Sequence, residues 1–429
     1  MKTAVVYTSA HWEHALVVLR LSGPLRQTGF HLVCGTQDGE IDTEQIPNAD
    51  LVLIQRDFPK YLAAYERILF LARQASIPVI LDLDDWLLEL PENHPDRITH
   101  HYAAGLFPIL RAALEADAVT VSTARLGDQV QRLNDSTWVL PNYIDEKLWS
   151  FTPPALNNKD PVRLVYMGGD SHIPDLQLVI PVLGTILERY AGRVTFHVVG
   201  MHPNPVLSNL PGVMVTPFMM DYAKYARFAD EQRFDLAIAP LMDNTFNRCK
   251  SSIKYLEYSA LGLPAIYSDI PPYTDVVSNG ENGFLACSLE EWMQAIVRLI
   301  DDPELRLRMG KAAQDNVRRN WLLADHAHEW AEAYQMITAT PRRQSYDQRT
   351  IPASLVIELT RQTQAWQEYA FSHASGNKAE ILSANGVNNG ADFSYAPTLP
   401  SLTTLRNGLV GTWNRGMHWF TTQLNKKAG

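Results

Sequence analysis

The chain has 429 residues, more than a single hydrophobic core usually serves, and a formal net charge of −10. This acidic balance argues against a general nucleic-acid binder, whose affinity comes from neutralising phosphates. Its three cysteines are far apart and show neither metal-ligand spacing nor a disulfide framework, so we expect a reducing, cytoplasmic setting. The first residues indicate a strand rather than a signal peptide, and no run of about 18 apolar residues predicts a membrane span.

Short apolar runs alternate with segments of helical period along the first 150 residues. The pattern predicts helices over 14–27, 60–75 and 100–115, and it predicts strands over 3–8, 30–35, 49–55, 78–84, 117–123 and 136–142. Strands this apolar, alternating with helices, are typical of a parallel sheet covered on both faces. We therefore predict a Rossmann-like domain over residues 1–150.

The alternation stops and then restarts. A segment rich in Pro and Asn predicts a linker over 151–161. Beyond it the pattern predicts a second Rossmann-like domain over 162–338, with strands at 162–168, 193–200, 213–218, 234–241 and 264–269 and helices at 175–190, 252–262, 289–301, 303–319 and 323–338. In doubly wound α/β sheets ligands bind beyond the carboxyl ends of the strands, so two such halves predict a site in the cleft between them.

The tail over residues 339–429 has a different composition. It predicts a helix over 354–371 and then a flexible Gly/Asn/Ser-rich stretch over 372–392. Residues 401–424 repeat Leu, Trp, Met and Phe at helical spacing with cationic flanks, a pattern typical of amphipathic helices that can lie on a membrane surface. The alternative is that this stripe packs on its own catalytic domain or on a partner.

Phosphate-binding chemistry is indicated at the start of the helix predicted over 252–262. Lys250, Ser251 and Ser252 stand where free backbone N–H groups and the helix dipole favour an anion. Glu257, one to two turns further on, could accept hydrogen bonds from sugar hydroxyls. The alternative is that Ser252 is only a helix cap and Glu257 a surface residue.

Two glycines follow the first strand of the second domain. Gly168 and Gly169 would let the backbone approach a phosphate closely, with His172 as a further ligand. The alternative is an ordinary turn between a strand and a helix, with His172 as a local cap.

Carboxylates end a central strand of the first domain. Asp84 and Asp85 should face the cleft, together with His11 and Trp12 from the loop after the first strand, whereas Asp82 should remain in its strand. On the residues alone, this stretch could be a metal site, an acid/base site or a solvated strand end.

Four segments, in order, resemble the retaining glycosyltransferases of the GT-B superfamily known as group 1 or GT4. "VLPNYIDEKLW" (139–149) is similar to the family's domain-joining segment, and "IKYLEYSALGLPAIYSD" (253–269) to its donor-binding segment. "VVSNGENGFL" (276–285) is similar to its glycine turn, and "DDPELRLRMGKAAQDNVRRNW" (301–321) to its C-terminal helices. The resemblance covers residues 1 to 338.

The resemblance implies a GT-B fold and retaining sugar transfer from a nucleotide-sugar donor to a glycan or lipid-linked acceptor. It gives Glu257 the role of the second family glutamate, which binds the nucleotide ribose, whereas Cys249 stands where the first glutamate contacts the donor sugar. The family's basic pair after the first strand of the second domain is also absent, so Lys250 or Lys254 would supply the diphosphate charge, unless Lys254 is only a surface residue. Arg248 is a further candidate.

By the same resemblance, a polar residue of the first domain lies beside the donor sugar, for which Asp84 or Asp85, with His11, is the candidate. We expect no metal and no cofactor besides the nucleotide-sugar co-substrate. The family's habit suggests a role in surface polysaccharide assembly, in the cytoplasm or at the inner face of the membrane. Two alternatives are a binding or scaffold protein on this fold, favoured by the missing glutamate at Cys249, and a sugar-nucleotide epimerase.

Overall fold

The computed structural model of the protein describes residues 2–37, 39–340 and 351–374. It contains two α/β halves, each built on a six-stranded parallel sheet, and one short β-hairpin. Most of the stretch predicted to be flexible, and all of the amphipathic stripe at 401–424, lie outside the described residues.

The first sheet has the strand order β2-β1-β5-β6-β7-β8. Its inner strands are buried on both faces, so that Val5 packs into one apolar cluster and Val6 into another on the opposite face, while the edge strands are partly exposed. The strands of this half, including the hairpin β3-β4, are β1 (Thr3–Tyr7), β2 (His31–Cys34), β3 (Thr36–Gln37), β4 (Glu40–Ile41), β5 (Leu51–Gln55), β6 (Val79–Leu83), β7 (Ala118–Val121) and β8 (Thr137–Val139).

The second sheet has the strand order β11-β10-β9-β12-β13-β14, so the strand order reverses beside its first strand, as in doubly wound nucleotide-binding folds. Its strands are β9 (Val162–Met167), β10 (Val194–Val199), β11 (Val213–Thr216), β12 (Leu236–Ala239), β13 (Ala265–Ser268) and β14 (Phe284–Ala286).

Helices cover both sheets. Those of the first half are Ala15–Val17, which continues through a π-helical turn at Val18–Ser22 into Gly23–Gln27, and Leu62–Gln74, Pro95–Ile98, Leu106–Glu115 and Ala124–Gln131. The later helices are Ile173–Gln177, Ile180–Arg189, Pro205–Ser208, Tyr222–Gln232, Thr245–Arg248, Ile253–Ala260, Leu289–Asp301, Pro303–Asn320, Leu323–His326, His328–Ala339 and Ala353–Ala374.

The last helices cross back to the first half. Trp330 is fully buried in the same apolar cluster as Leu21, and its indole N–H donates to the carbonyl of Arg20 at 3.1 Å. Leu355 and Leu359 of the helix Ala353–Ala374 are buried in the other cluster of that half. The helices that follow residue 322 therefore pack on the first sheet, although their sequence continues the second domain. Among the described residues, no helix has the length and apolar character needed to cross a membrane.

Candidate active site

The carboxyl ends of the two sheets meet at a cluster of charged side chains. Lys250, just before the helix Ile253–Ala260, places its Nζ 3.1 and 3.2 Å from the two carboxylate oxygens of Asp85, which follows β6. Both side chains are largely buried, with 16% and 19% of their surface exposed. Two predicted site residues from opposite halves thus form one ion pair across the cleft.

Arg56, which the sequence analysis did not single out, lies at the centre of this cluster. It follows β5, pairs with Asp84, and lies 3.6 Å from Asp85, while its Nη2 donates to the hydroxyl of Tyr102 at 3.2 Å. Its φ of +49° is uncommon for a residue other than glycine, and such backbone strain is concentrated at functional sites. Its position directly after an apolar strand that neighbours β6 was the signal that could have identified it.

The two neighbouring aspartates have opposite tendencies to ionise. Burial raises the pKa of Asp84 above its ordinary value, and the opposing charge of Arg56 does not fully cancel this effect. Burial acts on Asp85 in the same sense, but Lys250 and Arg56 outweigh it and lower the pKa of Asp85 to about 2. Such a separation suits one carboxylate to proton transfer and the other to a fixed negative charge.

Asp82 lies earlier, within β6, and has a structural environment. It is fully buried in an ion pair with Arg20 at 2.8 Å, and it accepts a hydrogen bond from Thr120 at 2.7 Å. The buried guanidinium and the hydroxyl satisfy this carboxylate within the first half, away from the cleft contacts of Asp84 and Asp85.

On the second half, His172 and Lys254 lie near Lys250, and these residues together form what we call the basic side of the cleft. His172 Nδ1 lies 2.8 Å from Asp175, and its Nε2 lies 3.5 Å from the Nζ of Lys254. Burial and the neighbouring Lys254 lower the pKa of His172 to about 4. Burial and the charge of Lys250 lower the pKa of Lys254 to about 8. Lys254 is therefore a half-buried lysine beside His172, not one on the open surface.

Asp175 holds the loop that leads to Lys250. Its Oδ1 accepts from the amide of Met242 at 2.8 Å and from the side chain of Asn247 at 3.0 Å. Because its other oxygen contacts His172, this one carboxylate fixes the histidine and the loop relative to each other. The ring of Phe246 in the same loop lies 4.2 Å from the Nζ of Lys250.

The glycine turn after β9 leaves space at the end of that strand. A Cβ at Gly168 would lie only 2.7 Å from the hydroxyl of Tyr166, whereas at Gly169 the nearest obstacle, the carbonyl of Gly200, is 3.9 Å away. The Tyr166 hydroxyl is buried and has no hydrogen-bond partner within the part of the chain that the structure describes. Its ring lies 5.9 Å from the Nζ of Lys254, so this unpaired group borders the basic side of the cleft.

Glu257 is buried between two tyrosines. Tyr222 donates to its Oε1 at 2.9 Å and Tyr225 to its Oε2 at 3.2 Å, and only 7% of the residue is exposed. Burial raises its pKa to about 7, although both hydroxyls favour the charged form. The alternative that Glu257 is a surface residue is therefore wrong.

The two predicted serines differ in their contacts. Ser251 accepts a hydrogen bond at 2.9 Å from Asn142, which follows β8, so it joins the halves. Ser252 precedes the helix Ile253–Ala260 and is buried, but its side chain makes no capping hydrogen bond. The capping alternative for Ser252 is not supported by this geometry.

Cys249, where the resemblance would place a glutamate, packs against the first half. It is 2% exposed and belongs to an apolar cluster of that half, and its carbonyl accepts from Thr123 at 2.7 Å. Burial, with the charge of Asp85, raises the pKa of its thiol to about 11. The thiol therefore has the character of a small packed side chain rather than of a nucleophile.

The loop after β1 contributes differently from the prediction. His11 is exposed, and its Nδ1 accepts from the amide of Glu13 at 3.4 Å, while Trp12 is half-buried against an apolar cluster of the first half. The structure does not bring either into hydrogen-bond contact with Asp84 or Asp85 among the described residues. His14, in the same loop, is affected by the charged cluster. Its burial and, as a smaller effect, the charge of Arg56 lower its pKa to about 4.

Two side chains of the segment after Asp85 contact the second half. Asn93 reaches the sulfur of Met242 at 3.4 Å, and the ring of His94 meets that of Phe246 edge-on, with centroids 5.2 Å apart. Within residues 2–37, 39–340 and 351–374, no group of three or more His, Cys, Asp or Glu side chains is arranged to hold a metal ion.

Comparison with known proteins agrees with this architecture. Residues 161–302 match the family model described as Glycosyl transferases group 1. No curated protein matches the chain.

Solved structures with similar folds include Anabaena Alr3699/HepE in complex with UDP-glucose, at 15% identity and a TM-score of 0.55 over 78% of this chain and 100% of that one. Sucrose-phosphate synthase from Thermosynechococcus elongatus is 15% identical, with a TM-score of 0.52 over 79% and 99%. A glycosyltransferase from Rickettsia africae is 14% identical, with a TM-score of 0.51 over 79% and 99%. A further similar structure is that of TarM, which is 13% identical to this chain, with a TM-score of 0.47. The match covers 66% of this chain but only about half, 54%, of the length of TarM. At these identities the likeness concerns the fold.

Proposed function

We propose that this chain, a GT-B glycosyltransferase whose residues 161–302 match the group 1 family, transfers a sugar from a nucleotide-sugar donor. The acceptor would be a glycan or a lipid-linked molecule, and the transfer would retain the configuration of the sugar. The observation that supports this most is the ion pair across the cleft, in which Lys250 of the donor half contacts both oxygens of Asp85. A cation already balanced by a carboxylate at this position suits a site in which a diphosphate replaces that carboxylate.

The donor diphosphate would bind at the basic side of the cleft. Lys250 and Lys254 supply positive charge, the Gly168–Gly169 turn supplies approachable backbone, and the unpaired hydroxyl of Tyr166 offers a donor nearby. As the bond to the sugar breaks, negative charge builds on the leaving diphosphate, and fixed cations in a partly buried site stabilise it. These lysines motivate the proposal that the transfer needs no metal ion.

The acceptor would approach from the first half. Asp84, whose pKa is raised by burial, is the candidate to accept the proton of the acceptor hydroxyl, in concert with the leaving phosphate. Arg56, which pairs with Asp84, holds this carboxylate in place. Glu257 is the candidate for the nucleotide ribose, since each of its oxygens accepts only one hydrogen bond from tyrosine and has a further lone pair.

Donor hydrolysis is the test that needs no acceptor. Purified protein would be incubated with UDP-, GDP- and dTDP-sugars, starting with UDP-glucose because the Anabaena protein was solved with it. We expect one donor to be cleaved, and Lys250→Ala to lower that rate by about 10²–10³-fold. The matched control is Lys224→Ala, whose lysine is 70% exposed on the same half. Equal activity of both variants would remove Lys250 from the site.

A binding or scaffold protein remains the second candidate, because Cys249 is buried where the family has a sugar-binding glutamate. Calorimetric titration with the same nucleotide-sugars separates the two: the scaffold hypothesis requires that no donor binds. An epimerase would instead convert its donor without any acceptor and release no free sugar.

We further propose a role in surface polysaccharide assembly at the inner face of the membrane, with residues 401–424 as the peripheral contact. These residues lie outside the described ones, so the support is the sequence pattern alone. Liposome flotation of the full chain and of a chain ending at residue 394 tests it. Equal flotation of the two proteins would refute the membrane contact.

A further inference from the structure

A cavity separate from the ion pair across the cleft lies between the helix Ala353–Ala374 and the segment that follows β6. It has a volume of about 260 Å³, and its walls include Leu90, Ile98 and Ala103 on one side and Ala365 on the other. Pockets for drug-sized ligands are larger, roughly 300–1,000 Å³, so this one suits a ligand unit of about one ring.

Two arginines at this cavity are paired with glutamates, and the carboxylate of Asp96, which also lines it, lies 3.8 Å from His94. Arg97 lies 2.8 Å from Glu358, and Arg361 lies 3.0 Å from Glu92. An anionic ligand would have to displace one of these glutamates while facing the carboxylate of Asp96, whereas the hydroxyls of a neutral ligand can share the remaining donors and acceptors. With Leu90 and Ile98 as apolar wall, this is the mixture of polar edges and apolar faces that a sugar ring presents.

Tyr102 connects the cavity to the charged cluster of the cleft. It lines the cavity, and its hydroxyl accepts from Arg56 at 3.2 Å, while Arg56 itself pairs with Asp84. The tyrosine keeps its own O–H available for donation. A ligand in the cavity would therefore lie only two side chains away from the candidate acid/base residue.

Backbone strain marks both sides of Tyr102. Arg56 has a φ of +49° and His100, which lines the cavity, a φ of +57°. Neither is glycine, and such residues persist where the surrounding structure enforces them, often at ligand sites. The His100 ring also lies 5.3 Å from that of Tyr369, so an aromatic pair stands beside the cavity.

We propose that this cavity is an acceptor subsite, which binds a neutral sugar unit of the acceptor at a distance from the hydroxyl that reacts. The assignment rests on the proposed glycosyl transfer and adds the class of acceptor, a glycan longer than one sugar. The helix Ala353–Ala374, which lies beyond the residues that match the family, would then act as a specificity element of this chain.

The test blocks the cavity from its rim. Ala365→Trp places an indole at a lining position on the helix, and the matched control is Ala353→Trp, an exposed alanine of the same helix that does not line the cavity. Saturation-transfer NMR on the full chain would use methyl glycosides of glucose, galactose, mannose and N-acetylglucosamine as probes. UDP, GDP and dTDP would report the donor site in each protein.

We expect the unmodified chain and Ala353→Trp to bind at least one glycoside alike, and Ala365→Trp to bind it at least about tenfold more weakly, with nucleotide binding equal in all three. Undiminished glycoside binding by Ala365→Trp, or no glycoside binding by the unmodified chain, overturns the subsite. If Ala365→Trp is unstable, Ile98→Trp, at a position 63% exposed on the opposite wall, gives the same readout. Failure of every nucleotide to bind would instead contradict the proposed transfer.

Discussion

Replacing Glu257 by glutamine should change the stability of the protein in a manner that depends on pH. The carboxyl is buried between Tyr222 and Tyr225, and burial raises its pKa from 4.5 to about 7. The folded protein therefore keeps a proton on Glu257 at pH values where the unfolded chain has released it. The stability that this proton contributes is present in full below pH 4.5 and is lost as the pH rises through 7.

The magnitude follows from the size of this shift. A pKa raised from 4.5 to about 7 corresponds to about 3 kcal/mol in total, of which about 2.5 kcal/mol is lost between pH 5 and pH 8. The amide introduced by Glu257→Gln cannot ionise, so the variant lacks this loss. The variant also loses about 1 kcal/mol of unfolding free energy at every pH, because one tyrosine hydroxyl then faces the amide N–H₂, a donor, where it had a carboxyl oxygen as its acceptor.

The assay is urea unfolding of the full chain at about pH 5 and pH 8, with unfolding free energies from the linear extrapolation. We expect Glu257→Gln to be less stable than the unmodified protein at the lower pH and more stable at the higher one. Glu231→Gln, which removes an exposed carboxylate from the helix that bears both tyrosines, is the matched control. A stability difference for Glu257→Gln that stays constant between the two pH values would refute the buried, proton-holding carboxyl.

Three further outcomes test other parts of the site. Because burial and Lys250 lower the pKa of Lys254 to about 8, the affinity for UDP measured by calorimetry should fall above that pH. In Lys254→Arg the affinity should stay constant to about pH 9.5, because arginine keeps its charge. Identical pH profiles of the two proteins would show that Lys254 does not bind the diphosphate. Cys249→Glu should not restore the family's sugar contact but should destabilise the protein by about 3 kcal/mol, since the carboxylate would enter a buried contact between the halves. Thermal unfolding measures this loss, with Cys249→Ser as the control. Donor turnover should be unchanged in EDTA, and its loss, with recovery on adding Mn²⁺ or Mg²⁺, would contradict the metal-free mechanism.

The strands were predictable from the sequence because both sheets are parallel and buried on both faces. The inner strands are therefore mostly apolar runs, and runs such as 78–84 and 162–168 agree with β6 and β9 to within a residue at each end. The helices Ala124–Gln131 and Tyr222–Gln232 were missed because charged and amide residues interrupt their apolar positions, which leaves a narrow buried face. The strand β14 was missed because it is three residues long and follows a glycine turn.

The candidate site was predictable only in part, for a physical reason. Asp85 and Lys250 each stand at the end or start of an apolar element, which the sequence displays, but the pairing of residues 165 positions apart depends on how the halves face each other. The environment of Glu257 likewise depends on Tyr222 and Tyr225, in a helix that the periodicity did not predict. Arg56 resembles any solvated strand end until the fold places it beside Asp84.

The ion pair between Lys250 and Asp85 also imposes an order on the proposed reaction. While it is intact, Asp85 neutralises Lys250 and the two halves are joined at the point where donor and acceptor must meet. A diphosphate offers Lys250 at least as much negative charge, so donor binding can displace Asp85 at little electrostatic cost. Asp85 would then stay ionised beside Arg56 without Lys250 to balance it, so that its negative charge acts more strongly on Asp84 and makes Asp84 a better proton acceptor. On this argument the donor binds first, and its arrival prepares the carboxylate that receives the acceptor's proton.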